Sequence, residues 1–172
     1  MKAIGRIFLL IWCLTPLLGF AAPDIELKGL DGQPQNVNKY IGKGKWTVVA
    51  IWAHDCPICN AEIPAFTFFH DEHKDNDAIV LGISIDGWAK RHKARQFVET
   101  HGLNFTNLVA EPRQDVLGRF GGGKFYGTPT FYVYSPAGEL MARQIGPITI
   151  EAVEEYIERA KQAAGEKNEV KS

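Results

Sequence analysis

The sequence predicts an α/β domain in which helices flank a central mixed sheet, and three observations carry that prediction. Two continuous apolar runs rich in β-branched residues, Thr47–Trp52 (TVVAIW) and Ala78–Ile85 (AIVLGISI), have the character of strands covered on both faces in a parallel sheet. Between them, Ile58–Lys74 has helix length and an aromatic-rich face, completing a β-α-β unit. Further on, Thr130–Tyr134 and Glu139–Ile145 flank the turn Ser135-Pro136-Ala137-Gly138 and read as an antiparallel hairpin. A parallel unit joined to a hairpin makes the sheet mixed.

The elements follow in chain order. Residues 1–22 open with Lys2 and Arg6, run through the apolar stretch Ile7–Leu18 and close on Gly19-Phe20-Ala21-Ala22. A basic start, an apolar middle and small residues at the −3 and −1 positions of a cut after Ala21 describe an export signal, residues 1–21. The apolar run is short against the ~20 residues that span a bilayer, and Pro16 interrupts it; the alternative is an uncleaved membrane anchor from Ile4 to Ala22. Asp24–Lys45 is a polar, glycine-rich, extended lead-in with a strand signal only at Ile25–Leu27. After the β-α-β unit, Trp88–His101 reads as a polar-faced helix, Asn104–Val109 as a short strand and Arg113–Phe120 as a short helix ending at Gly121. The last helix takes Thr149 as N-cap, places Ile150, Val153, Ile157, Ala160 and Ala164 on one face, and is expected to stop at Gly165. The domain therefore spans 22–165, and 166–172 reads as a charged, disordered tail.

Composition narrows the function classes. The chain has 172 residues, 45% apolar and 23% charged, which suits one globular domain that builds its core without disulfide staples. A formal net charge of −1 provides no field that would concentrate a polyanion, so no nucleic-acid partner is expected. Three cysteines, Cys13, Cys56 and Cys59, are the unusual feature. Loss of residues 1–21 removes Cys13, leaves 17 basic and 20 acidic side chains, and leaves one cysteine pair, as suits an oxidising compartment.

That pair stands in Trp52-Ala53-His54-Asp55-Cys56-Pro57-Ile58-Cys59, directly after a buried strand and directly before a helix. Two intervening residues at a helix start bring the sulfurs within bridging distance. The first lies where unpaired backbone N–H groups and the helix dipole favour an anion, which lowers the pKa of Cys56 preferentially. Pro57 suits the first helical turn, where its missing N–H costs nothing. A thiol of pKa about 8.5 is only ~3% thiolate at pH 7 while one near 7 is half ionised, and the lower value also makes a better leaving group. Such a pair passes a disulfide in either direction, with Cys56 attacking and Cys59 resolving. Asp55 would raise the Cys56 pKa and a protonated His54 would lower it.

These residues resemble the thioredoxin superfamily, and within it the exported TlpA/ResA-like thiol–disulfide oxidoreductases. The likeness rests on the strand ending Trp52-Ala53, the CPIC site, the continuation Cys59-Asn60-Ala61-Glu62-Ile63-Pro64, similar to the family's C-x-x-E-x-P, and Gly127-Thr128-Pro129-Thr130 opening a strand before a hairpin. It covers about Asp24–Ala164 and includes a lead-in, Asp31–Trp46, like the family's approach to the first core strand. The resemblance implies a thioredoxin-like fold with the extra β-α insertion and N-terminal extension of that group. It implies a cis-Pro129 shaping the substrate groove beside the cysteines, Thr128 offering backbone hydrogen bonds to a client segment, and a buried Glu62 tuning proton transfer. Trp52 and Pro57 would complete the substrate surface. The buried acid of ordinary thioredoxins falls at Ala50, which cannot titrate, so acid/base work would pass to Glu62 or water.

Rival readings are weaker. Cys56-x2-Cys59 with His70-x2-His73 approaches a zinc finger, but the histidine gap is short and a core strand stands where a finger needs a hairpin. Gly118–Lys124 fits G-x4-G-K, but Phe125 replaces the Ser or Thr that binds magnesium and the helix precedes rather than follows. A peroxiredoxin needs a threonine three residues before its reactive cysteine, where this chain has Ala53. The resemblance thus implies an exported, periplasmic or inner-membrane-anchored oxidoreductase that reduces client disulfides, with cytochrome c maturation or metal-site assembly as family-typical client pathways. It would need no cofactor beyond Cys56–Cys59, no metal, and a membrane thiol electron donor. The alternatives are a disulfide oxidase of the DsbA type and a non-catalytic copper or zinc carrier using the same thiols.

Overall fold

The computed structural model describes residues 22–169, with side chains to residue 164. The expected export signal and Cys13 lie outside the described residues. Among the described residues no helix is long and apolar enough to cross a membrane.

Among the described residues seven strands form one sheet. They are β1 (Glu26–Gly29), β2 (Pro34–Asn36), β3 (Trp46–Trp52), β4 (Ala78–Ser84), β5 (Thr106–Val109), β6 (Thr130–Tyr134) and β7 (Leu140–Ile145). Their order is β2-β1-β5-β4-β3-β6-β7. The pairs β3–β4 and β4–β5 are parallel, and the rest are antiparallel. Every residue of β3 is buried, as its almost wholly apolar sequence requires of a strand with helices or loops on both faces, and the one polar residue, Thr47, donates its hydroxyl to the Tyr40 carbonyl. The β6–β7 hairpin forms where the Ser135–Gly138 turn places it.

Five helices accompany the sheet: α1 (Pro57–Glu62), α2 (Phe66–His73), α3 (Arg91–His101), α4 (Gln114–Leu117) and α5 (Ile150–Glu169). Alternation along β3 divides the core. Trp46, Val48, Ala50 and Trp52 face a cluster with Cys59 and Ile63, Phe66 and Phe69 of α2, Ala94 and Phe97 of α3, and Val153 and Ile157 of α5. Val49 and Ile51 face the opposite cluster, built from Ile25, Leu27, Val37, Ile41, Leu117, Phe120 and Phe125.

Three expectations change. The single helix expected over Ile58–Lys74 is two, joined by a 3-10 turn over Ile63–Ala65, because Pro64 has no N–H to carry the α-helical ladder onward. The lead-in is more than extended chain: β1 pairs with both β2 and β5 and closes that side of the sheet. The last helix does not stop at Gly165 but continues to Glu169, taking in the first residues of the expected tail. Gly costs a helix only about 1 kcal/mol, too little to end one by itself.

Candidate active site

The site is set by the end of β3. After Trp52 the chain leaves the sheet through Ala53, turns at His54-Asp55 and enters α1 with Cys56 as N-cap, in extended conformation (φ −90°, ψ 110°). Cys56 Sγ accepts a hydrogen bond from the Cys59 backbone N–H at 3.1 Å, so a free helix-start donor is spent on sulfur. Pro57 fills the first helical position. Cys56 and Cys59 are disulfide-bonded, with Cα atoms 5.2 Å apart. Their accessibility differs: Cys56 retains 9% exposure and Cys59 none. An incoming sulfur therefore meets Cys56 first.

The other expected site residues divide. Pro57 is exposed and Thr128 half-buried. The Thr128–Pro129 peptide bond is cis. Thr130 pairs with Ile51 across β6–β3, which brings Pro129 level with Trp52, at the end of the sheet from which the cysteine loop leaves. Trp52 is packed near the site as a shield and is not itself exposed on the substrate surface. It is fully buried, stacked on Phe97 with ring centroids 4.3 Å apart, and its indole N–H donates to Asn107 Oδ1 at 3.2 Å. Burial of that large ring in the core outweighs any exposed role, so it shores up the loop from behind. Glu62, expected buried, is half-buried at the end of α1. Ala50 is fully buried, so the centre of the sheet beneath the cysteines holds no acid at that position.

Two residues escaped sequence reading. Asp86, just past the C-terminal end of β4, has a side chain only 3% exposed. Its carboxylate contacts His54 Nδ1 at 2.5 Å, accepts from the His54 backbone N–H at 3.2 and 3.3 Å and from Ser84 Oγ at 2.6 Å. This fastens the turn that leads into Cys56. Asn60 donates from Nδ2 to the Cys56 carbonyl at 2.9 Å and to the His54 carbonyl at 3.4 Å, while its Oδ1 meets His101 Nε2 at 3.0 Å. A polar residue at the C-terminal end of a parallel strand was the available signal for Asp86, because open α/β sheets place their chemistry there.

The zinc-finger geometry does not assemble. His70 Nδ1 accepts from the Val80 N–H at 3.2 Å and His73 Nδ1 contacts Asp77 at 2.9 Å, while the cysteines bond to each other. Ligand atoms of His54, Asp55 and Asp86 lie within 4.8 Å of one another, but the Asp86 oxygens already serve the turn.

The profile of the AhpC/TSA family matches residues 18–143. The chain belongs to the AhpC/TSA family. This AhpC/TSA protein is 36% identical to peroxiredoxin Bcp of Bacillus subtilis (strain 168) over 97 residues, 56% of this chain and 59% of Bcp, so it spans little more than half of that relative. It is 26% identical over 142 residues to the thiol-disulfide oxidoreductase ResA of Oceanobacillus iheyensis, covering 81% of this chain and 71% of ResA. The crystal structure of StoA from Bacillus subtilis superposes with a TM-score of 0.60 at 22% identity, covering 80% of this chain and 98% of StoA, which shows the thioredoxin-like fold. Fold, cysteine pair and relatives make this AhpC/TSA member a thiol–disulfide oxidoreductase. At the position three residues before Cys56, Ala53 offers no hydroxyl.

Proposed function

We propose that this chain is an exported oxidoreductase that reduces disulfides of client proteins outside the cytoplasm. The observation that carries the reading is the unequal accessibility of a bonded pair at a strand–helix junction, Cys56 keeping 9% exposure and Cys59 sealed behind it. In the reduced protein, Cys56 thiolate attacks one sulfur of the client disulfide and the other leaves as thiolate, forming a mixed disulfide. Cys59 then attacks Cys56 Sγ, the client leaves as a second thiolate, and the Cys56–Cys59 bond closes. A membrane thiol donor reopens the pair, and no cofactor beyond the cysteines takes part. Thr128 and Pro129, level with the end of β3, would hold the client backbone, Pro57 would border it, and Glu62 would exchange protons at the edge of the site. The N-terminal signal of residues 1–21 supports export to the periplasm, and cytochrome c maturation or metal-site assembly supplies clients of the right chemistry.

Two measurements test this. A Cys59→Ser variant is expected to accumulate mixed disulfides through Cys56 with proteins of the exporting compartment, and their absence would sink the catalytic reading. The Cys56–Cys59 reduction potential is expected near the −270 mV of thioredoxin; a value near about −120 mV, where strong oxidants lie, would make the chain an oxidase instead.

A further inference from the structure

Helix α3 carries a charge pattern unlike the rest of the chain. Lys90 at its start and Arg91, Lys93 and Arg95 within it are all exposed, against a single acid, Glu99, in a chain of formal net charge −1. Among the described residues none of these four cations forms an ion pair. Arg91 and Arg95 donate instead to the carbonyls of Trp88 and Leu30, and Arg91 also stacks over the Trp88 ring. Their charge is uncompensated.

The helix is held beside the disulfide, and of these four cations Lys93 lines the side that faces the cysteine loop, while Arg91 and Arg95 line a neighbouring groove with Glu99. Phe97 of α3 stacks on Trp52, and His101 of α3 meets Asn60, which in turn bonds the Cys56 carbonyl. Between α3 and the cysteine loop lies a cleft of about 180 Å³, walled by His54, Asn60, Lys93, Gln96, Thr100 and His101. Its ionisable walls are all basic. The nearby acids are Asp86, turned inward onto His54 and Ser84, Asp55, exposed at the turn, and Glu99 on α3.

We propose that this cleft and the α3 face dock an acidic segment of the client protein, next in sequence to its exchanging cysteine. The proposal rests on the thiol–disulfide exchange reading and names the substrate class that reading leaves open. Lys93 and His101 are eight residues apart, about 12 Å along a helix, which an extended peptide covers in about four residues. Acidic residues within that distance of the client cysteine would meet Lys93 and then Lys90. The concave cleft, lined with amide, hydroxyl and imidazole groups, fits a polypeptide better than the flat surface of a bilayer.

The test uses the oxidised full chain. A peptide thiolate attacks Cys56 Sγ, the Cys56–Cys59 bond breaks, Cys59 leaves as thiolate and takes a proton, and the rate is read by tryptophan fluorescence. Cysteine peptides with Glu, Ser or Lys at the four following positions are compared at low and high salt. The acidic peptide is expected to react about fivefold faster than the Ser peptide and the Lys peptide more slowly, with both differences shrinking at high salt. In K90E/K93E, at exposed positions, the order of Glu and Lys peptides should reverse. Equal rates for the three peptides, or a preference untouched by K90E/K93E, overturns the proposal. So does the same gain for 3-mercaptopropionate as for the acidic peptide, which would mark a small-anion site. Binding to phosphatidylglycerol vesicles without peptide preference likewise overturns it, assigning the face to a membrane. If the Ser peptide also fails to open the disulfide, the exchange reading itself falls.

Discussion

Gly82 stands behind the active site and governs it without touching a sulfur. It pairs with Asn107 across β4–β5, and a Cβ at Gly82 would stand 2.0 Å from Asn107 Oδ1 and 2.8 Å from Cγ. That oxygen accepts the Trp52 indole N–H. Gly82→Ala should therefore push Asn107 aside and free Trp52, destabilising the fold by ~1–3 kcal/mol in urea unfolding and altering the Trp emission. Tyr134 provides a second residue-level test. Burial, with the neighbouring Tyr132, pushes its phenol well above the usual tyrosine range, and its hydroxyl donates to the Phe120 carbonyl. A raised folded-state pKa contributes stability that is complete below the unfolded value, about 10, and is lost as pH climbs above it. Tyr134→Phe should cost ~1 kcal/mol at neutral pH and flatten the alkaline fall in stability, measured by urea titration from pH 7 to 11. Of the site, Cys56 and Cys59 were legible because their spacing and placement are local. Asp86, Asn107 and the stacking of Trp52 on Phe97 were not, because each depends on a partner more than thirty residues away.

Helices and strands were legible where pattern is strong and length sufficient. The parallel core of β3 and β4 follows from two almost wholly apolar runs, and the hairpin from its turn. β1 and β2 have only four and three residues, alternate or expose their side chains, and gain their place by pairing, which no local signal reports. Pro64 could have warned of the break between α1 and α2. The end of α3 is better specified. Gly102 closes it in the left-handed conformation (φ 60°, ψ 35°), its N–H reaching back to the Glu99 and Val98 carbonyls. Beyond its chain neighbours, no atom lies within 4 Å of where its Cβ would stand, so Gly102→Ala meets only the backbone penalty. About 1 kcal/mol of stability should be lost, in thermal or urea unfolding, with exchange kinetics unchanged.

At the scale of the molecule, the sheet is closed on one side by the lead-in and on the other by the hairpin. Ile25, Leu27, Val37 and Ile41 are all buried, and each contributes roughly 1.5–3 kcal/mol of burial. Deleting residues 22–41 would strip β5 of its neighbour and open the cluster beneath β3, and the expected result is loss of cooperative unfolding by circular dichroism, not a shifted midpoint. The same lead-in fixes how the molecule is oriented on whatever precedes it. Ala22 lies against Gly138, itself packed on Gly42, at the pole where β3 begins and the β6–β7 turn closes. The disulfide lies at the other pole, seven residues of β3 away, about 23 Å along the strand. An attachment made at Ala22 would therefore sit on the side of the domain opposite the disulfide, and the reactive sulfur would face away from it.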